Sequence, residues 1–163
     1  MASSLKNLSS HSITKKASNN KIKIGIVVSE WNSEITEKLF DGAYQTLIKS
    51  GIKKETIVKK YVPGSFELTL GAKLLAKSTK ADAIICLGCV IQGETRHFDF
   101  ICDAVANGIT QLNIKYNKPF IFGVLTTDNL QQAKDRSGGK HGNKGVEAAV
   151  TAIKMIELKN NLK

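Results

Sequence analysis

The chain has 163 residues, a formal net charge of +10, 42% hydrophobic residues and three cysteines. That length suits one domain with a sizeable core, no apolar run is long enough to span a membrane as a helix, and no signal-peptide apolar core stands near residue 1. A basic chain suggests anionic partners, but its lysines are scattered with no run longer than two, which argues against a nucleic-acid stripe.

Residues 1–20 are rich in Ser, Lys and Asn, poor in large apolar residues and without arginine. They are expected to form a flexible tail rather than a transit peptide, ahead of a single domain over 21–163. Ile22 to Val28 is an apolar run that reads as a strand ending in the polar turn Ser29-Glu30-Trp31-Asn32. A helix follows, with Ile35, Leu39, Ala43 and Leu47 on one stripe and Gly51 as its stop. Thr56 to Val62 reads as a second strand, Pro63-Gly64-Ser65 as its turn, and Phe66 to Ala76 as a helix with Leu70 and Leu74 inward. Ala83 to Ile91 is the third strand and Arg96 to Ile114 the third helix. Pro119 to Leu125 is the fourth strand. Asp128 caps a short helix, Asn129 to Arg136, a Gly-rich loop spans Ser137 to Gly145, and Val146 to Leu158 is the last helix.

Strands alternating with helices predict a parallel sheet with helices on both faces, a three-layer α/β/α sandwich with four central strands. The strands read as near-continuous apolar runs, as a sheet buried on both faces requires. The cysteines fit small buried residues: Cys86 and Cys89, three apart on a strand, point to opposite faces, and no second Cys/His pair completes a zinc site. Cys86 and Cys102 are expected in the core and Cys89 at the strand's end. An odd, sparse count fits a reducing compartment, hence the cytoplasm.

Open α/β sheets bind ligands beyond the carboxyl ends of their strands, so the four strand ends are expected to converge on one crevice. The first holds Trp31, the single tryptophan, which suits either stacking on a planar ring or a surface lid over the core. The second, Pro63-Gly64-Ser65-Phe66-Glu67, fixes a tight turn; Phe66 is equally readable as core, and Glu67 as a carboxylate favouring the helix N-terminus. The third, Gly88-Cys89-Val90-Ile91-Gln92-Gly93-Glu94-Thr95-Arg96-His97, places N–H groups, Thr95 and a histidine at a helix start. It lacks the lysine of a P-loop, since Glu94 stands in that place, so triphosphate hydrolysis is disfavoured while a smaller phosphate suits Thr95. His97, one turn into the helix, offers acid–base chemistry. The fourth combines Thr126-Thr127-Asp128 with Arg136-Ser-Gly-Gly-Lys-His-Gly-Asn-Lys-Gly145, a basic Gly-rich anion clamp in which His141 is expected to be solvated. The chain uses 22 lysines but only two arginines, Arg96 and Arg136, both in these loops, where a planar fork grips phosphate.

Val62-Pro-Gly-Ser-Phe-Glu67, Leu87-Gly-Cys-Val-Ile-Gln-Gly-Glu-Thr-Arg-His-Phe-Asp-Phe100, Phe122-Gly-Val-Leu-Thr-Thr127 and Gly142-Asn-Lys-Gly145 together resemble the lumazine synthase family of riboflavin biosynthesis, in one register from about Lys23 to Leu158. The resemblance implies a flavodoxin-like fold and a transferase that condenses 5-amino-6-(D-ribitylamino)uracil with 3,4-dihydroxy-2-butanone 4-phosphate to 6,7-dimethyl-8-ribityllumazine. It implies no metal and no organic cofactor. It places Trp31 on the pyrimidine; Ser65, Phe66 and Glu67 at the uracil edge and ribityl hydroxyls; and Cys89, Val90 and Ile91 at the pocket wall. Glu94, Thr95 and Arg136 fall at the phosphate site, with Lys144 as an auxiliary cation, and His97 at the proton-transfer position. Phe122 and Arg136 would come from an adjacent subunit of a homo-pentamer. The short Ser137–Gly142 loop resembles members that pack twelve pentamers into a 60-subunit shell, with riboflavin synthase as a candidate partner and no nucleic acid or membrane. Cys89, Gln92 and Glu94 depart from the family's usual residues. A flavin- or lumazine-binding protein without turnover and a generic phosphate-binding α/β module are the rival classes.

Overall fold

The computed structural model describes residues 21–162; the expected tail, residues 1–20, lies outside them. Four strands, β1 (Ile24–Ser29), β2 (Ile57–Val62), β3 (Ala83–Ile91) and β4 (Phe120–Thr127), form one parallel sheet in the order β2-β1-β3-β4. The helices are α1 (Ser33–Lys49), α2 (Leu68–Ser78), α3 (His97–Tyr116), α4 (Leu130–Arg136) and α5 (Lys144–Asn161), with a 3-10 turn at Lys54–Thr56. Alternation along β3 divides the core: Ile85, Leu87 and Cys89 join Leu39, Ala43 and Ile153 on the α1/α5 face, while Ile84 and Cys86 join Leu75, Val105 and Ile109 on the α2/α3 face. The three-layer α/β/α arrangement expected from the strand–helix alternation is the one observed, and it is flavodoxin-like, as the resemblance implies. Among the described residues no helix is long and apolar enough to cross a membrane.

The stripe Ile35, Leu39, Ala43, Leu47 is buried along α1, as its spacing dictates. Gly51 ends the helix at φ 90°, where its N–H donates to the Ile48 carbonyl and that of Ile52 to Leu47, the Schellman pattern. Cys86 and Cys89 lie on opposite faces of β3 as expected.

Several expectations need correction. In α2 the inward residues are Leu68, Ala72 and Leu75, whereas Leu70 and Leu74 are more than half exposed. The helix starts at Leu68 rather than Phe66, and it lays the stripe Leu68–Ala72–Leu75 rather than Leu70–Leu74 against the sheet. β2 is half-buried rather than apolar throughout: it is an edge strand, and its Lys59 reaches the Glu37 carboxylate at 2.8 Å and lies over the Phe40 ring. Cys102 is half-buried, not core. The cap of α4 is Asn129, whose side chain accepts from the Gln132 N–H at 3.0 Å; Asp128 accepts from the Gln132 side chain instead. The Gly-rich loop is a small antiparallel hairpin of β5 (Ser137–Gly139) and β6 (Gly142–Asn143).

Helices α1 and α5 pack backbone to backbone at Gly145. A Cβ there would stand 1.8 Å from the Leu39 carbonyl oxygen, and that oxygen belongs to a helix that cannot yield. Beside it, Asn143 accepts from the N–H groups of Gly145 and Val146 while donating to the carbonyls of Lys38 and Ser137, so one amide caps α5 and ties it to α1 and the hairpin. Gly145→Ala is therefore expected to lower stability by about 3 kcal/mol or more, measured by denaturant unfolding; an unchanged midpoint would refute the close approach.

Candidate active site

The strand ends gather residues because the pairing is parallel and staggered. β1 matches β2 up to Ser29↔Val62 and β3 up to Val28↔Leu87, while β3 runs on beside β4 to Ile91↔Thr127. The turn after β1, the turn after β2 and the free end of β3 thus face one another. They enclose a cleft of about 730 Å³.

Trp31 stands on its rim, 73% exposed, with its backbone N–H donating to the Pro63 carbonyl at 3.0 Å. It covers the cleft, not the core. From the second turn come Ser65, Phe66 and Glu67. Phe66 is 57% exposed, which removes it from the core. Glu67 accepts from the Gly64 N–H at 3.0 Å and so closes the turn. The Ser65 hydroxyl is buried and finds no hydrogen-bond partner among the described residues, leaving it able to pair with a ligand. Gly88 makes that burial possible, since a Cβ there would meet the Ser65 hydroxyl at 2.7 Å.

Cys89, Val90 and Ile91 form the wall. Burial alone pushes the Cys89 thiol up to about 12, so it is a small uncharged wall group and not a nucleophile. Thr95 and His97 complete the lining. The Thr95 hydroxyl accepts from the His97 N–H at 3.4 Å at the start of α3. His97 is the first residue of that helix rather than one turn inside it, and both residues are exposed. Glu94 is exposed beside them but does not line the cleft. Asn32, Gly93, Phe98, Phe100 and Ile101 also line it. Sequence reasoning did not select these: the apolar ones look like any helix face, and only their place at the start of α3 marks them.

The fourth strand end does not join the other three as expected: neither residues 126–128 nor the loop 136–145 lines the cleft, and Arg136, Lys144 and Phe122 lie outside the cleft of their own chain. Arg136 sits at the end of α4, where Nη1 stands 3.1 Å from Glu147 Oε1, Nη2 donates to Oε2 at 3.3 Å, and Nη1 also donates to the His141 carbonyl at 2.7 Å. Lys144 reaches the same carboxylate at 3.2 Å. Glu147 was not selected from the sequence; a glutamate three residues after Lys144 in a first helical turn was the available signal. Burial works to raise its pKa, but hydrogen bonding from Arg136 and the charge of Lys144 outweigh it and hold the carboxyl below its ordinary value. His141 is half-buried, not solvated, because it lies inside this hairpin. Phe122 is partly exposed on β4. Among the described residues no cluster of His, Cys, Asp or Glu could hold a metal ion.

A profile of the 6,7-dimethyl-8-ribityllumazine synthase family matches residues 21–160. The chain belongs to this family. A 6,7-dimethyl-8-ribityllumazine synthase from Cytophaga hutchinsonii is 62% identical over 156 residues, covering 96% of this chain and 98% of the relative. One from Parabacteroides distasonis is 58% identical over the same shares. One from Christiangramia forsetii is 52% identical over 100% of this chain and 98% of the relative. The family match thus takes in every cleft residue and the Arg136–Lys144–Glu147 cluster alike.

A carboxylate whose pKa is lowered on folding stabilises the fold above its unfolded pKa, and that contribution disappears as pH falls through the folded value. The stability gap between the parent and Glu147→Gln is therefore expected to be largest near neutral pH and to shrink as pH drops below 4.5, the ordinary value. Urea unfolding across that range checks it; a gap independent of pH would exclude the ion pair as its source.

Proposed function

We propose that this lumazine synthase family member condenses 5-amino-6-(D-ribitylamino)uracil with 3,4-dihydroxy-2-butanone 4-phosphate to 6,7-dimethyl-8-ribityllumazine, with loss of phosphate and two waters. The reading is carried by one observation: Trp31, Ser65–Glu67, Cys89–Ile91, Thr95 and His97, drawn from three separate strand ends, line a single cleft. The family match along nearly the whole chain supports it.

In this reading the pyrimidine lies against Trp31 and the wall Cys89–Ile91, with Ser65, Phe66 and Glu67 at its polar edge and ribityl chain. The phosphate substrate lies toward Thr95 and Glu94. The amine attacks the ketone and water leaves as the imine forms. A proton comes off the adjacent carbon as phosphate departs, the enol becomes a ketone, and the ribitylamino nitrogen closes the ring with loss of the second water. His97 carries protons in these steps, a role worth roughly a hundredfold or more. Both substrates are already reactive, so their alignment in a confined cleft supplies much of the rest, on the order of 7–11 kcal/mol for well-oriented partners.

Arg136, Lys144 and Phe122 act in a neighbouring subunit's cleft. Their place outside the cleft of their own chain favours this, as do the exposed apolar side chains Phe66, Leu70, Leu74 and Phe100, which an assembly would cover. The assembly is a homo-pentamer, and the short hairpin Ser137–Asn143 suits a 60-subunit shell, with riboflavin synthase as an associated partner and the cytoplasm as location. Three free cysteines fit that compartment.

Mixing the two substrates with the protein is expected to raise lumazine absorbance and fluorescence well above the spontaneous rate; no acceleration would refute the synthase and leave a binding protein. His97→Ala is expected to lower kcat by roughly a hundredfold with the substrate KM values little changed. Arg136→Ala is expected to raise KM for the phosphate substrate, and an unchanged KM would refute its role. Sedimentation showing only pentamers would refute the shell.

A further inference from the structure

Asn32 occupies a costly conformation and uses its side chain away from its own helix. It is the N-cap of α1, with φ 59° and ψ 44° in the left-handed region that non-glycine residues rarely adopt. An Asn at an N-cap ordinarily accepts from the N–H groups of its own first turn. Here the side chain caps nothing. Instead Nδ2 donates to the Cys89 carbonyl at 3.0 Å, 57 residues away in sequence.

The register explains the contact. β1 matches β3 only as far as Val28↔Leu87, and the chain then turns away while β3 continues to Ile91. The Cys89 carbonyl stands in this gap, in a residue only 1% exposed, so it needs a donor that β1 no longer offers. Asn32 provides it. The same short turn carries Trp31, held on its other side by the Trp31 N–H to Pro63 carbonyl bond and, through Glu30, by a bond to the Val62 carbonyl at 2.8 Å. Asn32 itself lines the cleft. The turn is thereby fastened to the end of β2 by backbone and to the end of β3 by one amide.

We propose that Asn32 is a positioning residue for the pyrimidine half of the reaction: through the Cys89 carbonyl it fixes the spacing between Trp31 and the wall Cys89–Ile91. This rests on the synthase reading above. The spacing sets whether a flat ring fits between indole and wall. The phosphate half, at Thr95 and the start of α3, has no bond to this turn among the hydrogen bonds of the described residues, and it is left alone.

Two variants separate the amide from the backbone. Asn32→Gly keeps the left-handed turn at no steric cost and removes the amide, while also freeing the backbone there, which Asn32→Asp does not. Asn32→Asp keeps a side chain of the same length but sets an oxygen against the Cys89 carbonyl. The expected result for Asn32→Gly is a rise of about tenfold in KM for the aminouracil, from loss of one hydrogen bond to a buried carbonyl, with KM for the phosphate substrate within about twofold of the parent. Asn32→Asp is expected to exceed it. Trp31 is the single tryptophan, so time-resolved anisotropy of its emission in ligand-free protein reads the same contact directly: the fast-motion amplitude is expected to grow in both variants. Parental KM values and parental anisotropy would overturn the proposal, and so would an equal rise in both KM values with parental anisotropy. Trp31→Ala serves as the reference. If it leaves the aminouracil KM unchanged, the stacking role of Trp31 fails, while the anisotropy arm still decides whether Asn32 holds the indole.

Discussion

Parallel pairing of β1 with β2 on one side and β3 on the other is the constraint on which the rest of the molecule depends. Parallel strands cannot be joined by hairpins, so each must be followed by a crossover helix, and every strand delivers its carboxyl end to the same edge of the sheet. In this chain the strands stop at different heights. β2 ends with β1, whereas β3 continues past them to Ile91. That stagger makes a step rather than a flat rim, with Cys89–Ile91 as its riser and the turns at Trp31 and Ser65 as its sides. The helices cover both faces because each strand of the central pair is buried on both.

A second structure hangs from that frame at the far end of the chain. Asn143 and Gly145 lock the start of α5 onto α1, the first by capping α5 while donating to the Lys38 carbonyl of α1 and the second by having no side chain. The lock sets where Glu147 stands, and Glu147 in turn gathers Arg136 and Lys144. Two cations around one carboxylate leave a net positive group, held on a rigid helix start. An anion arriving there would meet a guanidinium whose plane is already fixed, so little side-chain freedom remains to be lost on binding.

The cleft itself is built from weakly polar parts. Cys89 is an uncharged thiol, Val90 and Ile91 are aliphatic, and Trp31, Phe66 and Phe100 present rings at its mouth. Polar groups are few: the Ser65 hydroxyl, the Glu67 carboxylate already fastened to its own turn, Thr95 and His97. Such a site orients a flat polar ring by its edges while its faces lie against apolar surface. In the proposed reaction the proton transfers fall to His97, at the edge of this lining.

The sequence by itself determined the layered α/β architecture, the order of its elements and most of the cleft lining. Strand and helix periodicities are local, and turn motifs beyond strand ends have only one place to go in a parallel sheet. It also carried the family, through four ordered motifs. What it could not carry were properties that depend on neighbours distant in the chain. The inward face of α2 was decided by which of its stripes met the sheet: Leu68, Ala72 and Leu75 joined the core, leaving Leu70 and Leu74 outward. The polarity of β2 followed from its edge position. Glu147 acquired meaning only when folding laid it against Arg136, eleven residues away. Asn32 read only as the last residue of a polar turn until the stagger of β1 against β3 left a buried carbonyl within its reach. Local spacing decides which elements form, while hydrogen-bond partners for buried groups are decided only once those elements are set side by side.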